Sequence, residues 1–475
     1  MNSKGIKYLT VEGLHEQFDL QMDFKPGLNI IYGKNGRGKT TALHILANAL
    51  ELDFKRFSYL NFRRIRIGTF AGDMLEITRI APDVNCVVAL NGNATSFGGE
   101  SGILSEAEAD VIRNAIGDRA TYLPAFRSVL ERIQGSSSAY YRESGREVEL
   151  DEIESKEILN LRDAVSRVAG RPSREISEMR ALREEAATTA RKTVQCRQWF
   201  GPFVPLVRYP SILEVDDGLS SEWRVAQLET AQREQNMFAD VFVKVFRTIV
   251  GLDSPGSPVE TDALLASIAE SLESSDYQLG NRESVGIYQK LSEATDHLKK
   301  TSGKDAKGVE NAVLNLYLDT LLARKEERKQ AFQRSRDFET SINKFLDKKT
   351  LRIGVVDPRN RTRSSVSVGT EGGRNYGLSS LSSGEKQILT MLYSASRSRF
   401  KSGTFLIDEP ELSLHVDWQR QILRELMQQS AHRQIIACTH SPEVGGDHLE
   451  ETQDFEPTLT GNIQEGLFTE DESTE

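Results

Sequence analysis

The run Gly33-Lys34-Asn35-Gly36-Arg37-Gly38-Lys39-Thr40 constrains this chain more than any other feature of its sequence. It follows an apolar, strand-length stretch from Leu28 to Tyr32. After it comes Thr41-Ala42-Leu43-His44-Ile45-Leu46-Ala47, whose apolar residues recur at helical spacing. Strand, glycine turn and helix in that order make a phosphate-binding loop. The glycines free backbone N–H groups to encircle phosphate oxygens, and the helix start adds a favourable dipole. Gly33, Gly36 and Gly38 shape the loop, with Asn35 and Thr41 counted in the cradle. Lys39 is expected to reach the β- and γ-phosphates, and the Thr40 hydroxyl is placed to ligate Mg²⁺. A chain opening this way is an α/β protein.

A second chemistry lies near the other end. Phe405-Leu406-Ile407 reads as a buried strand ending in Asp408-Glu409, adjacent carboxylates where open α/β sheets place their ligands. Asp408 is suited to Mg²⁺, directly or through water, and Glu409 to polarising an attacking water. The bland alternative is a solvated acidic turn. Between the two lies Leu381-Ser382-Ser383-Gly384-Glu385-Lys386-Gln387, followed by Ile388, Leu389, Leu392 and Tyr393 at helical spacing. Ser383 and Gly384 at a helix start expose a hydroxyl and N–H groups suited to a phosphate, although an ordinary serine cap has the same composition.

With His440 in Ala437-Cys438-Thr439-His440-Ser441, these motifs resemble the ATP-binding cassette family, in the branch of the chromosome-maintenance and double-strand-break-repair ATPases. The resemblance implies a P-loop NTPase head with a small antiparallel β lobe and an inserted helical arm. It implies ATP and Mg²⁺, and two heads that sandwich ATP between one copy's phosphate loop and the other's Ser383-Gly384. His440 matches the switch histidine at the γ-phosphate, so Glu409, Lys39, His440 and Ser383 are the expected catalytic set, with Thr40 and Asp408 on the metal. Pro410 to His415 resembles the D-loop segment, with His415 where many members place aspartate. Gln195 and Gln198 are candidates for the Q-loop glutamine, and neither is assigned.

The stretch from Asp408 through Gln419 also resembles a branch of bacterial anti-phage ATPases, and the terminal head regions with the general insertion layout are similar to the AriA type of PARIS systems and, less closely, the PtuA type of Septu. That resemblance implies a homodimer or higher homo-oligomer, a separate Toprim-type nuclease effector that it holds and releases, and a phage-encoded protein trigger. The alternative is a DNA-repair or DNA-bridging ATPase. No nuclease motif is apparent in this chain.

At about 150 residues per domain, 475 residues suggest three domains or one large unit with an insertion. The motifs give residues 1–140 as the N-terminal part of the head, 141–350 as the inserted helical region, 351–450 as the C-terminal part and 451–475 as an acidic tail. Phe62–Phe70, Met74–Ile80 and Val84–Leu90 read as strands of the small lobe, and Val313 through Phe345 as a helix of about 50 Å at about 1.5 Å per residue. The glycines and serines of 364–383 suggest a mobile approach to Ser383.

The net charge of -10 argues against a uniformly basic nucleic-acid coat, though 60 Lys and Arg leave room for a local groove. Lys55, Arg56, Arg63, Arg64 and Arg66 either touch a nucleic acid or nucleotide or are exposed arginines of an ordinary strand. Arg127, closing Thr121-Tyr122-Leu123-Pro124-Ala125-Phe126, either sits near the nucleotide or makes a tethering ion pair. Three widely spaced cysteines make no metal cluster, and the absence of a secretory signal and of a membrane-length apolar run gives a cytoplasmic expectation with no membrane partner.

Overall fold

The structure is a computed structural model that describes residues 5–79, 86–95, 106–127, 130, 188–249, 307–354, 365–396, 403–430 and 433–459. It divides into two compact units. One joins residues 1–213 to 381–475, and the other spans 214–380. The head therefore runs further into the expected insertion than residue 140, and the residues from 351 to 380 belong with the insertion. Residues 131–187, which include the start of the expected helical insertion, and residues 355–364 lie outside the described residues. Among the described residues no helix is long and apolar enough to cross a membrane.

In the first unit, β1 (Ile6–Leu14) and β2 (Phe18–Asp23) precede β3 (Leu28–Tyr32) and α1 (Lys39–Glu51). Then come β4 (Arg64–Thr69), β5 (Met74–Arg79), β6 (Cys86–Leu90), β7 (Asn93–Thr95), α2 (Glu106–Ile116), β8 (Thr121–Leu123) and α3 (188–200). The strands β3 and β8 belong to a sheet of order β14-β3-β13-β12-β8, completed by β12 (Phe405–Asp408), β13 (Ile435–Thr439) and β14 (Thr452–Asp454). Its registered pairs are all parallel. Every residue of β12 and β13 is buried, the pattern of strands covered on both faces.

The antiparallel sheet is larger than the expected lobe. Its order is β15-β2-β1-β4-β5-β6-β7, with β15 at Thr458–Leu459. Alternation along β1 and β2 marks strands without naming their partners, and both join this sheet, β1 pairing with β2 and β4. The acidic tail likewise begins later than 451, because β14 pairs with β3 and β15 with β2. Between them Phe455 is buried and donates its N–H to the Tyr32 carbonyl at 2.7 Å.

Helix α1 is buried over ten of its thirteen residues, and its apolar side chains share one core with β1, β4 and β5 of one sheet and β3, β12 and β13 of the other. Two of its buried polar side chains make long-range hydrogen bonds: His44 Nε2 meets the Tyr122 hydroxyl at 2.8 Å, and Asn48 donates to the Phe203 carbonyl at 2.9 Å, while the Asn48 Oδ1 is buried with no partner. Burial pushes the His44 imidazole down to about 3, so it is a neutral core group near neutral pH. At the far end of α1, Arg208 forks onto the Glu51 carboxylate and Arg197 of α3 reaches Asp53 at 3.1 Å. These bonds place α3, with Gln195 and Gln198, at the end of α1 away from the phosphate loop.

The basic strand is a cross-strand ladder. Arg66 pairs with Glu76 at 2.9 Å and Glu12 at 3.3 Å, while Arg64 lies 3.8 Å from each of the same carboxylates. Arg56 pairs with Asp53, and Arg63 lies 4.0 Å from Asp19. These pairs fit the ordinary-strand alternative, with the positive charge locally balanced.

In the second unit, α4 (Ile212–Ile249) enters from the first unit and is followed by α5 (Lys307–Asn343). Trp223 packs on Phe332, with ring centroids 4.2 Å apart, and Arg324 forks onto Glu234 at 2.7 and 2.8 Å. As one helix is climbed the other descends, so the pair is antiparallel. At about 1.5 Å per residue each helix is about 55 Å long. The approach to Ser383 forms an antiparallel sheet of β9 (Lys349–Ile353), β10 (Val366–Thr370) and β11 (Asn375–Tyr376) in place of the expected mobile stretch. Helices α6 (Ser383–Ser396) and α7 (Val416–Gln429) belong to the first unit, which also carries a one-turn helix at Pro442–Gly445.

Candidate active site

Because the five-stranded sheet is parallel, the ends of β3, β12, β13 and β8 open on one edge, where ligands bind in such sheets. The turn after β3 is the glycine loop. Gly36 and Gly38 adopt φ of 79° and 100°, a region that side chains with a Cβ rarely enter. Gly38 caps α1 without a side-chain hydrogen bond, so the first N–H groups of the helix keep no side-chain partner at the cap. Asn35 is exposed and Thr41 half-buried. Lys39 is 6% exposed and folds back over its own loop, donating from Nζ to the carbonyls of Gly33 at 2.6 Å and Lys34 at 3.0 Å.

At the end of β12, Asp408 is 1% exposed. Its Oδ2 accepts from the Thr40 hydroxyl at 2.9 Å, joining residues 368 positions apart, while its Oδ1 is buried with no hydrogen-bond partner. Burial pushes the Asp408 carboxyl up to about 6 against the opposing pull of the Thr40 hydrogen bond. Glu409 follows with φ 48°, and its Oε1 lies 3.6 Å from His440 Nδ1.

These residues fit Mg²⁺ with a nucleotide's phosphates. A buried carboxylate oxygen left without a partner is costly unless a cation or a water takes it up. It is joined through Oδ2 to Thr40, on the first turn of a helix whose N-terminus suits phosphate.

Glu411 escaped sequence reasoning. It is 5% exposed, and its Oε1 accepts from the Thr439 hydroxyl at 2.6 Å, the His440 N–H at 3.0 Å and the Ser441 N–H at 3.2 Å. His440 Nδ1 lies 3.2 Å from the same oxygen. Glu411 thus ties the loop after β12 to the loop after β13 and fixes the histidine's backbone. The signal available was a third carboxylate two residues beyond an adjacent pair, which composition alone does not separate from solvated acid. Glu411→Ala leaves these donors without their acceptor and is expected to cost about 1–3 kcal/mol of stability, read from the urea midpoint, whereas Glu411→Gln keeps an acceptor and costs less.

At the start of α6, Ser382 and Glu385 cap the helix reciprocally. The Ser382 N–H donates to Glu385 Oε2 at 2.6 Å, and the Glu385 N–H donates to Ser382 Oγ at 3.4 Å. The cap uses Ser382, and the neighbouring Ser383 is exposed. A Cβ at Gly384 would lie 2.9 Å from the Ser413 carbonyl oxygen and 3.2 Å from the Trp418 ring, so only glycine lets the loop after Glu409 approach α6 this closely. His415, at the position the family often gives to aspartate, caps α7 by accepting the Asp417 N–H at 3.4 Å. One chain therefore brings Lys39, Thr40, Asp408, Glu409 and His440 to one sheet edge, with Ser383 and Gly384 at the start of α6 against Ser413 and Trp418.

Two family models match the chain, one over each part. Residues 9–192 match "AAA domain", and residues 257–444 match "AAA domain, putative AbiEii toxin, Type IV TA system". No curated protein matches the chain. Similar solved structures include the Smc head domain with an extended coiled coil from Pyrococcus furiosus, bound to the C-terminal domain of ScpA. It is 13% identical over 96% of both chains, with a TM-score of 0.37. A SmcHead bound to the C-winged helix domain of ScpA is 11% identical over 96% of this chain and 98% of that one, with a TM-score of 0.37. The Smc head domain with a coiled coil and joint from Pyrococcus yayanosii is 14% identical over 96% of both, with a TM-score of 0.34. The two AAA matches and the folded phosphate loop, with a carboxylate strand beside it, make this chain a P-loop ATPase whose head is built from both ends of the sequence.

Proposed function

We propose that this ATPase works as a head-to-head homodimer in which each copy lends Ser383 and Gly384 to the nucleotide held by the other. The observation that carries this reading is the division of labour in one chain. The Lys39, Thr40, Asp408 and Glu409 cluster forms at one sheet edge, while Ser383 is left exposed beside a helix cap that does not need it. Lys39 would exchange its own loop's carbonyls for phosphate oxygens, and Thr40 and Asp408 would hold Mg²⁺. That ion supplies neutralisation of phosphate charge. Glu409 orients the attacking water and accepts its proton, and His440, braced by Glu411, faces the terminal phosphate. Self-complementary pairing makes two such sites with two-fold symmetry.

Mixing two inactive variants tests this. Lys39→Ala removes the loop lysine and Ser383→Arg fills the space facing the partner. A heterodimer of the two keeps one site with an intact loop and an intact serine. Random mixing makes half the dimers heterodimers, so turnover is expected to recover to about a quarter of wild type if the sites act independently. No recovery, with heterodimers demonstrated by native mass measurement, sinks the shared site.

Downstream, we propose that the assembly formed through the ATPase heads holds a separate effector of the Toprim nuclease type and releases it when a phage-encoded protein engages the assembly. The resemblance of Asp408 to Gln419 to anti-phage ATPases supports this, as does the toxin–antitoxin wording of the model matching residues 257–444. Co-purification of a nuclease that leaves on adding the phage protein is the expected result. Turnover stimulated by duplex DNA without a protein partner would instead give a DNA-repair or DNA-bridging ATPase of the chromosome-maintenance type.

A further inference from the structure

Arg127 heads the largest fully buried side chains of the described protein, at 0% exposure. A guanidinium taken out of water normally faces a carboxylate, because an unpaired buried charge is costly. The hydrogen bonds of Arg127 run instead to main-chain oxygens. Nη1 donates to the Asp408 carbonyl at 2.7 Å and the Pro124 carbonyl at 3.0 Å, and Nη2 donates to the Glu409 carbonyl at 2.7 Å. These bonds are not the tethering ion pair, and they set the guanidinium behind the Asp408–Glu409 backbone at the edge of the candidate site.

The Asp408 and Glu409 carbonyls flank a backbone position at the sheet edge that needs holding. Glu409 has φ 48°, the left-handed region, which a residue with a Cβ rarely enters unless its surroundings hold it there. Its N–H is fixed by a bond to the Cys438 carbonyl at 2.8 Å, and its C=O by Arg127. With both sides of the residue gripped, the direction in which its side chain leaves β12 is set. Phe126, stacked on Phe200 with centroids 4.1 Å apart and planes at 14°, steadies the segment that carries the arginine.

We infer that Arg127 is a positioning residue that holds Glu409 in its left-handed conformation and so aims its carboxylate at the attacking water. It acts through the backbone and touches neither water nor phosphate. The inference rests on Glu409 being the water-activating base, and the two can fail separately.

The test is a double-mutant cycle on the full-length chain. Arg127→Lys keeps the charge and loses the fork. It is expected to lower kcat for ATP by about 10- to 100-fold, the scale of a misaimed catalytic group, with KM within about threefold of wild type. In a Glu409→Gln background the same change is expected to alter the residual rate by less than about twofold, because a group that acts through Glu409 has nothing left to aim. An equal fall in both backgrounds means a general structural role and overturns the inference, as does an unchanged kcat in the single variant. Normal turnover by Glu409→Gln alone would remove the base assignment and the inference with it, whereas additive losses remove the inference only. Arg127→Gln, which keeps amide donors without a buried charge, carries the same cycle if the lysine variant does not fold.

Discussion

Glu409→Gln is expected to lower steady-state ATP turnover by about 10²- to 10⁴-fold, the range that a positioned general base contributes, while leaving Mg-ATP affinity within a few-fold of wild type. The amide is nearly isosteric with the carboxylate and keeps an oxygen facing His440, so the 3.6 Å contact at that point does not require a new arrangement. What is lost is the ability to take a proton from water. If the two-copy site is right, the variant accumulates in the ATP-bound closed state. Size-exclusion with light scattering then shows a dimer that persists with ATP and dissociates when nucleotide is removed. Rapid turnover in the variant would take Glu409 out of its role.

Asp408→Asn is expected to separate stability from activity. Desolvation is the largest influence on this carboxyl, and its Oδ1 has no hydrogen-bond partner, so the wild-type side chain sits there at a cost in the metal-free protein. Asparagine still accepts from Thr40 and carries no charge. The metal-free variant should unfold at a urea midpoint equal to or above that of wild type. Without the charge that holds Mg²⁺, its turnover should fall by about 100-fold or more, and Mg-ATP should no longer raise its midpoint. A clear loss of metal-free stability would mean that the carboxylate serves the fold rather than the metal.

The legibility of these features follows the distance over which each one acts. The phosphate loop could be read because glycine spacing, a strand before it and a helix after it are local, and Leu28–Tyr32 and Lys39–Glu51 fall where the pattern puts them. Asp408 and Glu409 were legible for the same reason, as the polar end of an apolar run. The part played by Arg127, which the sequence singled out, and by Glu411, which it did not, was hidden because much of what each holds is peptide groups, and peptide groups are the same in every residue. The bond from Arg127 to the Glu409 carbonyl spans 282 positions and leaves no mark on either side chain's identity. Residues 452–459 misled by composition. Acidic residues suggested a tail, while the strand pairing there is carried by the backbone and by the single anchor Phe455.

The position of β3 has a consequence for how the protein is made. Its two neighbours in the sheet are β13 and β14, which the ribosome delivers only after residues 435 and 452. From residue 40 until residue 435 a nascent chain carries the phosphate-loop sequence without the parallel strands that flank β3, since closing such distant pairings waits for both partners. Nucleotide affinity is thus acquired only once β13 and β14 have been made, and chains terminated before residue 435 should neither bind ATP nor draw folded subunits into inactive pairs.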